Sequence, residues 1–375
     1  MAIPGKSGDE LAVANHIRQE LVAAGADPQH ILTDNAHKKC PVPGNTGNLI
    51  YHMPGTFKAP RRLLMAHMDT VPICVGTKPV RKGNLVRSGN PATGLGADNR
   101  AGVATVLTAA TEILKQDLPR PPLTFLWTIQ EEIGLHGARH LNLAKLKKPQ
   151  FAFNWDGGSP SKLTIGATGG YRMEITVRGK ASHAGNAPAA GVSAIAIASL
   201  AIADLHENGW HGDIQKGNKR GTSNVGLIQG GEATNVVTDL VHVRAEARSH
   251  DPAFRKKIVA EIEKAFKRAA KKVRSTDGSL GSVDFNGRLD YESFAIPTNS
   301  PTVVAAKQVV EAIGFEADLV IANGGLDANW MSARGIPTVS LGCGQKNQHM
   351  VTELLDVEQY LTACKIAMML ATGQV

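Results

Sequence analysis

Two adjacent glutamates, Glu131 and Glu132, follow the apolar run at 123–129 in the stretch LTFLWTIQEEIGLHGARHL. Two carboxylates in one buried place repel each other, and each is costly to desolvate unless a cation receives it. One explanation is that both side chains point into water at the end of a strand. Because neighbours in an extended segment point to opposite sides, the alternative is that one glutamate binds a metal ion and the other acts as a general base.

Further potential metal ligands also follow apolar segments. They are His67 and Asp69 after LLMA, Asp156 after FAFN, His349 after PTVSLGCGQKNQ, and Asp98 after the turn TGLGA. Taken singly, each has a simple structural explanation, such as a helix cap or a turn. Ligands of open α/β sheets collect outside the carboxyl ends of the strands, so together these residues predict a cluster of two imidazoles and several carboxylates.

The residue types in this predicted cluster are those of a metal centre. Imidazole and carboxylate ligands without thiolates suit zinc, with manganese or cobalt as looser fits. The carboxylates outnumber those that one tetrahedral ion needs, which favours two divalent ions that share a bridging ligand. Asp69 lies two residues after His67, so on a strand it can accept the second ring N–H of that histidine and fix its tautomer.

The segments that carry these residues predict an α/β fold. Strand and helix patterns alternate up to about residue 165, which is typical of a mostly parallel sheet with helices on both faces. The pattern then changes to alternating strands with two helices, which predicts a smaller α+β insert. We therefore expect one domain formed by 1–166 and 294–375 and interrupted by a second at 167–293, as suits a chain of 375 residues.

Composition limits the classes of partner. The net charge of +8 would fit a nucleic-acid ligand, but the basic residues are densest at 254–274, where apolar residues recur at helical spacing, as in a solvated surface helix. No base-reading pattern accompanies them, and we expect no nucleic-acid partner. No apolar run approaches the roughly 20 residues that span a bilayer, and no signal-peptide pattern opens the chain, so we expect no membrane partner and a cytoplasmic protein.

Several motifs resemble those of the di-zinc metallopeptidases that include aminoacylase, the glutamate carboxypeptidases and peptidase T. The motifs are HMDTVP, GADNRAG, QEEIGLHGA, WDGG, SHAGNAPAAG, GGEATNVV and NQHMVTE. The resemblance covers essentially the whole chain and identifies the insert as the family's lid or dimerisation domain. The segment NGGLDANWMSARGIPTVSLGCG is most similar to peptidase T and its relatives.

The resemblance implies a set of metal ligands. Asp98 would bridge two divalent ions, His67 and Asp156 would complete one site, and Glu132 and His349 would complete the other. In the family the bridging aspartate is followed by a cis peptide bond, which here would join Asp98 to the next residue, Asn99. Many members have a second aspartate at that next position, and we expect no loss of metal binding from the asparagine.

The resemblance also implies residues that act on the substrate. Glu131 would be the general base that deprotonates a metal-bound water, and Asp69 would orient His67. His183 would reach the active site of a partner subunit and help to hold the developing oxyanion.

The resemblance further implies contacts with the substrate itself. Asn235 and Arg248 would contact the polar ends of the substrate, and Gly324 and Gly325 would let the backbone approach it.

These inferences predict a metal-dependent hydrolase of short peptides that releases the N-terminal residue of tripeptides. A homodimer through the lid domain is expected because His183 needs a partner subunit. The alternative with the same chemistry is a deacylase or carboxypeptidase that acts on N-acyl amino acids or dipeptides. An alternative of another class is a binding protein that kept the fold and lost the metal ions, but all the ligand positions and the base are present.

Overall fold

The structure, a computed structural model, describes residues 1–374. The helices are α1 (Leu11–Ala23), α2 (Ala97–Lys115), α3 (His136–His140), α4 (Ala194–Glu207), α5 (Pro252–Lys272), α6 (Pro301–Ala312), α7 (Ala328–Ala333) and α8 (Val357–Thr372). The strands are β1 (Ile31–Thr33), β2 (Leu49–Met53), β3 (Arg62–His67), β4 (Pro79–Lys82), β5 (Leu85–Ser88), β6 (Leu123–Thr128), β7 (Phe151–Trp155), β8 (Lys162–Ala167), β9 (Gly169–Arg178), β10 (Ser182–His183), β11 (Gly212–Lys216), β12 (Lys219–Gly230), β13 (Val236–Val237), β14 (Leu240–Ser249), β15 (Ser282–Tyr291), β16 (Phe294–Ala295), β17 (Asp318–Ala322), β18 (Thr338–Leu341), β19 (Gln345–Lys346) and β20 (Leu354–Asp356). Across these described residues, no helix combines the length and the apolar character needed to cross a bilayer.

The chain divides into two compact units, each with its own hydrophobic core. The large unit consists of Met1–Ala167 and the chain from Phe294 onward, and the inserted unit is Thr168–Ser293. The sequence predicted divisions after residues 166 and 293, whereas the units divide after residues 167 and 293. The last predicted segment, 294–375, ends one residue beyond the described range.

A nine-stranded sheet forms the centre of the large unit. Its strand order is β1-β2-β6-β3-β7-β18-β8-β16, with β17 beside β8. The four central strands β6, β3, β7 and β18 run parallel, and the pairs β1–β2, β2–β6, β18–β8 and β16–β8 are antiparallel. A smaller sheet with the order β19-β20-β5-β4 belongs to the same unit.

The central strands are continuously apolar because both faces of the sheet are covered. In β3, Leu64 and Ala66 belong to the main core, which also contains buried residues of α2, α6 and α8. Leu63 and Met65 alternate with them and lie in a second core, together with Met331 of α7. Two buried faces remove the polar positions that a half-exposed strand would show.

The parallel register brings the ends of three strands to one edge of the sheet. His67, the last residue of β3, is paired with Thr128, the last residue of β6. Strand β7 lies on the other side of β3, with Met65 paired with Asn154. The residues that follow β3, β6 and β7 therefore emerge beside one another, where ligands of such sheets bind.

The inserted unit is an antiparallel sheet with two helices on one face. Its strand order is β11-β12-β14-β9-β15, and α4 and α5 pack against each other and against this sheet. Helix α5 contains the basic segment of the sequence, and its apolar residues Ile258, Ile262 and Phe266 are buried in the core of the unit. A separate two-stranded ribbon joins β10 to β13.

Candidate metal centre

His67 ends β3 with its ring fixed by Asp69. Its Nδ1 lies 3.1 Å from the main-chain oxygen and 3.3 Å from the carboxylate Oδ1 of Asp69. Because both partners are acceptors, Nδ1 carries the hydrogen, and a neutral His67 presents the lone pair of Nε2 on its other side. Both side chains are buried. This is the orientation that a metal-binding imidazole requires.

Asp98 lies where the first turn of α2 is broken. The backbone angles of Asp98 and Asn99 are not helical, and the peptide bond between them is cis, as the family resemblance implies. The backbone amides of Gly96 and Asp98 donate to the Glu353 carboxylate over 2.6 and 2.8 Å. These contacts hold the Asp98 side chain at the end of the sheet rather than in a regular helical position.

The Asp98 carboxylate lies between the two imidazoles of the cluster. Its Oδ1 is 3.4 Å from Nε2 of His67, and its Oδ2 is 3.4 Å from Nε2 of His349. Oδ1 is buried and accepts no hydrogen bond from any residue in 1–374. A buried carboxylate oxygen without a donor is a costly arrangement, and a cation between Asp98 and each imidazole would satisfy it.

The two adjacent glutamates lie on a turn. Strand β6 ends at Thr128, Gln130 has a positive φ of 49°, and a turn begins at Glu132, so both glutamates lie beyond the strand. The premise that the two glutamates lie on an extended strand is therefore wrong, and strand alternation does not explain their different roles. Glu131 Oε2 lies 4.0 Å from Nε2 of His67, and Glu132 Oε2 lies 3.0 Å from Nε2 of His349.

Asp156 and His349 complete the cluster from two other segments. Asp156 directly follows β7, and its amide donates to the Leu341 carbonyl at the end of β18. His349 lies between β19 and β20 with a positive φ of 63°, in a region that histidine tolerates better than most residues. About half of the His349 side chain is exposed, which leaves this side of the cluster open to solvent.

Five of the six residues form two overlapping groups that can hold metal ions, and His349 lies beside the second group. Ligand atoms of His67, Glu131 and Asp156 lie within 4.8 Å of one another, and so do those of His67, Asp98 and Glu132. Across residues 1–374, no lysine or arginine nitrogen lies within 4.0 Å of these carboxylates. Nitrogen and oxygen ligands without thiolates suit zinc and similar divalent ions, so the residues present fit such ions.

The electrostatics of the cluster indicate a deficit of positive charge. Burial and the neighbouring Asp98 raise the pKa of Asp156 to about 7, and burial raises the pKa of Glu131 well above its usual value. Hydrogen bonds to Asp98 and Glu132 raise the pKa of His349 to about 10. Burial alone would lower the pKa of His67, but the carboxylates around it raise it. Divalent cations would supply the charge that protons otherwise provide.

Three buried acids of the large unit were not identified from the sequence. Glu353 binds the start of α2, Asp327 accepts a hydrogen bond from Thr128 at the end of β6, and Glu10 accepts one from the amide of Gln130. Glu353 lies within the motif NQHMVTE and Asp327 within NGGLDANW, but neither follows an apolar strand. Their partners are distant in sequence, so a local pattern gives no signal for them.

His183 and Asn235 meet in the two-stranded ribbon of the inserted unit. His183 is paired with Val236, and the amide of Ala184 donates to the Asn235 carbonyl over 2.9 Å. Nδ1 of His183 accepts the amide hydrogens of Gly185 and Asn186 over 3.1 and 3.0 Å. A neutral His183 therefore carries its hydrogen on Nε2 and can donate from that atom.

The remaining predicted substrate contacts lie at 248 and at 324–325. Arg248 of β14 already binds a carboxylate, since its Nε and Nη2 donate to the two oxygens of Glu246 over 2.9 and 3.0 Å. Gly324 and Gly325 lie between β17 and α7 of the large unit. No atom of residues 1–374 lies within 4 Å of a Cβ built on Gly324, so there is open space beside its backbone.

Comparison with known proteins identifies the family. The model of peptidase family M20/M25/M40 matches residues 63–372. The chain belongs to this peptidase family. This M20-family chain is also 31% identical to the uncharacterized protein YqjE of Bacillus subtilis, over 85% of the chain and 82% of that protein.

Two solved structures are similar to this M20-family chain over nearly its whole length. A tripeptidase from Staphylococcus aureus is 30% identical with a TM-score of 0.89, and the match covers 99% of this chain and 94% of that one. The aminopeptidase PepT from Bacillus cereus is 29% identical with a TM-score of 0.86, over 99% and 95% of the two chains. The predicted α/β fold and the predicted metallopeptidase of the peptidase T type are confirmed by these matches.

Proposed function

We propose that this chain is a metal-dependent aminopeptidase that removes the N-terminal residue from short peptides, with tripeptides as its main substrates. The observation that carries the proposal is the position of the Asp98 carboxylate between His67 and His349, 3.4 Å from each imidazole. The similarity to a tripeptidase and to PepT over 99% of the chain supports the choice of substrate.

The proposed ligands divide into two sets that share Asp98. His67, Asp98 and Asp156 would hold one divalent ion, and Asp98, Glu132 and His349 would hold the other. Zinc suits this ligand chemistry best, with manganese and cobalt as alternatives. When bound, such ions lower the pKa of a water molecule and polarise the carbonyl of the scissile bond.

The chain's own residues would move the proton and hold the substrate. Glu131 would remove a proton from the attacking water and return it to the leaving amine. Burial raises the pKa of Glu131, so this carboxyl group can hold the proton between its removal from water and its transfer to the leaving amine. The Nε2–H of His183 would donate to the oxyanion as it develops.

The proposed contacts with the substrate involve Asn235, Arg248, Gly324 and Gly325. Arg248 would bind a substrate carboxylate only if it exchanged its bond with Glu246 for the substrate. Asn235 would contact the other polar groups of the peptide. The open space beside Gly324 would admit the peptide main chain, with Gly325 next to it.

We further propose a homodimer that forms through the inserted unit, so that His183 of one subunit serves the other. The edge of β12 supports this proposal. Strand β11 pairs with β12 only from Lys219 to Ser223, and among the described residues no strand covers the same edge from 224 to 230. Leu227 and Ile228 on that segment and Ile195 and Leu200 on α4 are exposed apolar side chains.

A cytoplasmic location stays a prediction of the sequence.

A peptide panel with metal-depleted and metal-restored protein tests the proposed function. The panel contains a tripeptide, its N-acetylated and C-amidated forms, a dipeptide and an N-acetyl amino acid, and mass spectrometry identifies the products. We expect the free tripeptide to lose its N-terminal residue only after zinc, manganese or cobalt is restored, and the N-acetylated form to resist. Release of the C-terminal residue, or cleavage of the N-acetyl amino acid alone, would contradict the aminopeptidase proposal.

A further inference from the structure

The backbone amides of three consecutive residues, Gln130, Glu131 and Glu132, donate to carboxylates. The amide of Gln130 donates to Glu10 Oε1 over 3.0 Å. The amides of Glu131 and Glu132 donate to the two oxygens of Asp69 over 3.0 and 3.2 Å. The turn that carries the proposed base is therefore held by two acids that come from different parts of the chain.

Glu10 is buried although it directly precedes the first residue of α1. It occupies the N-cap position of α1, yet its side chain accepts no hydrogen bond from that helix, all of whose residues are described. Instead, Oε1 accepts from the amides of Gly8 and Gln130 over 2.8 and 3.0 Å. Oε2 is buried and has no hydrogen-bond partner within 1–374. A helix cap does not explain this buried carboxyl group, whereas its contact with the Gln130 amide gives it a structural role.

Ser7 reaches the same turn through Asp69. Its hydroxyl donates to Asp69 Oδ2 over 2.6 Å, on the same oxygen that accepts the Glu132 amide. The backbone of the segment docks nearby, because the Gly5 carbonyl accepts from the amide of Thr70 and from the guanidinium of Arg100. We call residues 5–10 the N-terminal clamp.

We propose that Ser7 and Glu10 are positioning residues, which hold the turn at 130–132 so that Glu131 meets the attacking water. Gln130 has a positive φ, a conformation that costs energy in a residue other than glycine, so the turn needs outside contacts to persist. Glu10 supplies one such contact, to the amide of Gln130. Ser7 fixes the Asp69 carboxylate, which accepts the amides of Glu131 and Glu132. The inference rests on the proposed function, because it assigns the clamp to the base of that reaction.

The test compares kcat and KM of variants of the full chain with bound metal. Glu10→Ala removes the acceptor, Glu10→Gln keeps an oxygen at the Oε1 position, and Ser7→Ala removes the hydroxyl. Glu20→Ala is the matched control, since Glu20 is an exposed glutamate on α1. We expect Glu10→Ala and Ser7→Ala to lower kcat roughly 10- to 100-fold, the usual effect of losing a partner that orients a site. KM and the metal content should stay close to those of the parent.

The conservative variant separates positioning from a general structural role. Glu10→Gln should recover most of the kcat, because its amide oxygen still accepts the Gln130 amide. A Glu10→Gln variant as slow as Glu10→Ala, or a Ser7→Ala variant with unchanged kcat, would overturn the inference. If Glu10→Ala does not fold, the Ser7→Ala and Glu10→Gln results decide the question.

A Glu131→Gln variant in the same assay distinguishes this inference from the proposed function. Full activity of Glu131→Gln would rule out Glu131 as the base, and with it the positioning role of the N-terminal clamp. Loss of activity in Glu131→Gln, with normal kcat in Ser7→Ala and Glu10→Ala, would overturn the clamp alone.

Discussion

At the scale of single residues, one carboxylate organises much of the site. Asp69 faces Nδ1 of His67, accepts the amides of Glu131 and Glu132, and accepts the hydroxyl of Ser7. The spacing of two residues between His67 and Asp69 predicted the first of these contacts. The other three join segments that only the folded chain brings together, so Asp69 orients the proposed base as well as the imidazole.

Glu131→Gln tests the role of the base. Because glutamine cannot accept a proton in the reaction, we expect kcat on a tripeptide to fall by roughly 10²- to 10⁴-fold. The metal content, measured by elemental analysis, should be unchanged, since the proposed ligand sets do not include Glu131. Glu358→Gln, at an exposed position of α8, is the control. A loss of metal equal to the loss of activity would instead make Glu131 a ligand.

Asp98 and His349 should differ in their effect on metal content. Asp98 lies between both imidazoles, so Asp98→Ala should abolish binding of both ions. His349→Ala removes a ligand from one proposed set only and should reduce the bound metal by about half. Metal-to-protein ratios after dialysis against a fixed metal concentration measure both effects. Equal losses in the two variants would exclude a shared Asp98.

The sequence predicts which residues lie together at strand ends better than it predicts contacts between residues that are far apart in the chain. His67, Glu131 and Asp156 follow apolar runs, and parallel strands must end at one edge, so local patterns and a general rule were sufficient to place them together. Glu10 is 120 residues from its partner Gln130, and Glu353 is 257 residues from Gly96. A single sequence has no feature that joins positions so far apart.

At the scale of elements, the start of α2 is packed directly against the end of β7. A Cβ built on Gly102 would overlap the main-chain oxygen of Trp155 and Oδ1 of Asn99. Asn99 itself donates from Nδ2 to the Trp155 oxygen over 2.7 Å. The absence of a side chain at Gly102 therefore lets the helix approach the strand and sets the position of Asp98.

Gly102→Ala should destabilise the large unit. The backbone oxygen of Trp155 cannot move aside as a flexible side chain can, so the methyl group must displace α2, at a cost of ~1–3 kcal/mol. Denaturant unfolding of the metal-free protein measures the change. Gly324→Ala is the matched control, because its added methyl meets no atom of residues 1–374 within 4 Å. Equal stability of the two variants would show that α2 tolerates the displacement.

At the scale of the whole molecule, each unit has its own core, and we propose that a second copy binds at the exposed apolar residues of the inserted unit. Within residues 1–374, no strand pairs with the edge of β12 that carries Leu227 and Ile228, and such an edge is a common site of strand pairing between chains. The proposed dependence of catalysis on His183 of a partner connects this edge to activity.

Ile228→Lys should dissociate the proposed dimer and lower activity together. A charge on the edge of β12 opposes pairing with a second copy. Sedimentation measures the mass, a tripeptide assay measures turnover, and metal analysis should show no change, since the proposed ligands are all in the large unit. Leu361→Lys, at an exposed leucine of α8, is the control. A monomeric variant that keeps full activity would exclude a catalytic contribution from the partner.

The antiparallel pairing of Ala167 with Phe294 has a consequence for how this protein can be cut and rejoined. These residues flank the inserted unit, so the chain leaves and re-enters the large unit at two residues that are paired with each other. Insertions with adjacent ends are tolerated because excision leaves the host backbone undisturbed. A tight hairpin from β8 to β16 should therefore yield a miniature scaffold that loads ions and turns over no peptide. On this proposal, metal binding would need only the large unit, whereas turnover would need the inserted unit as well.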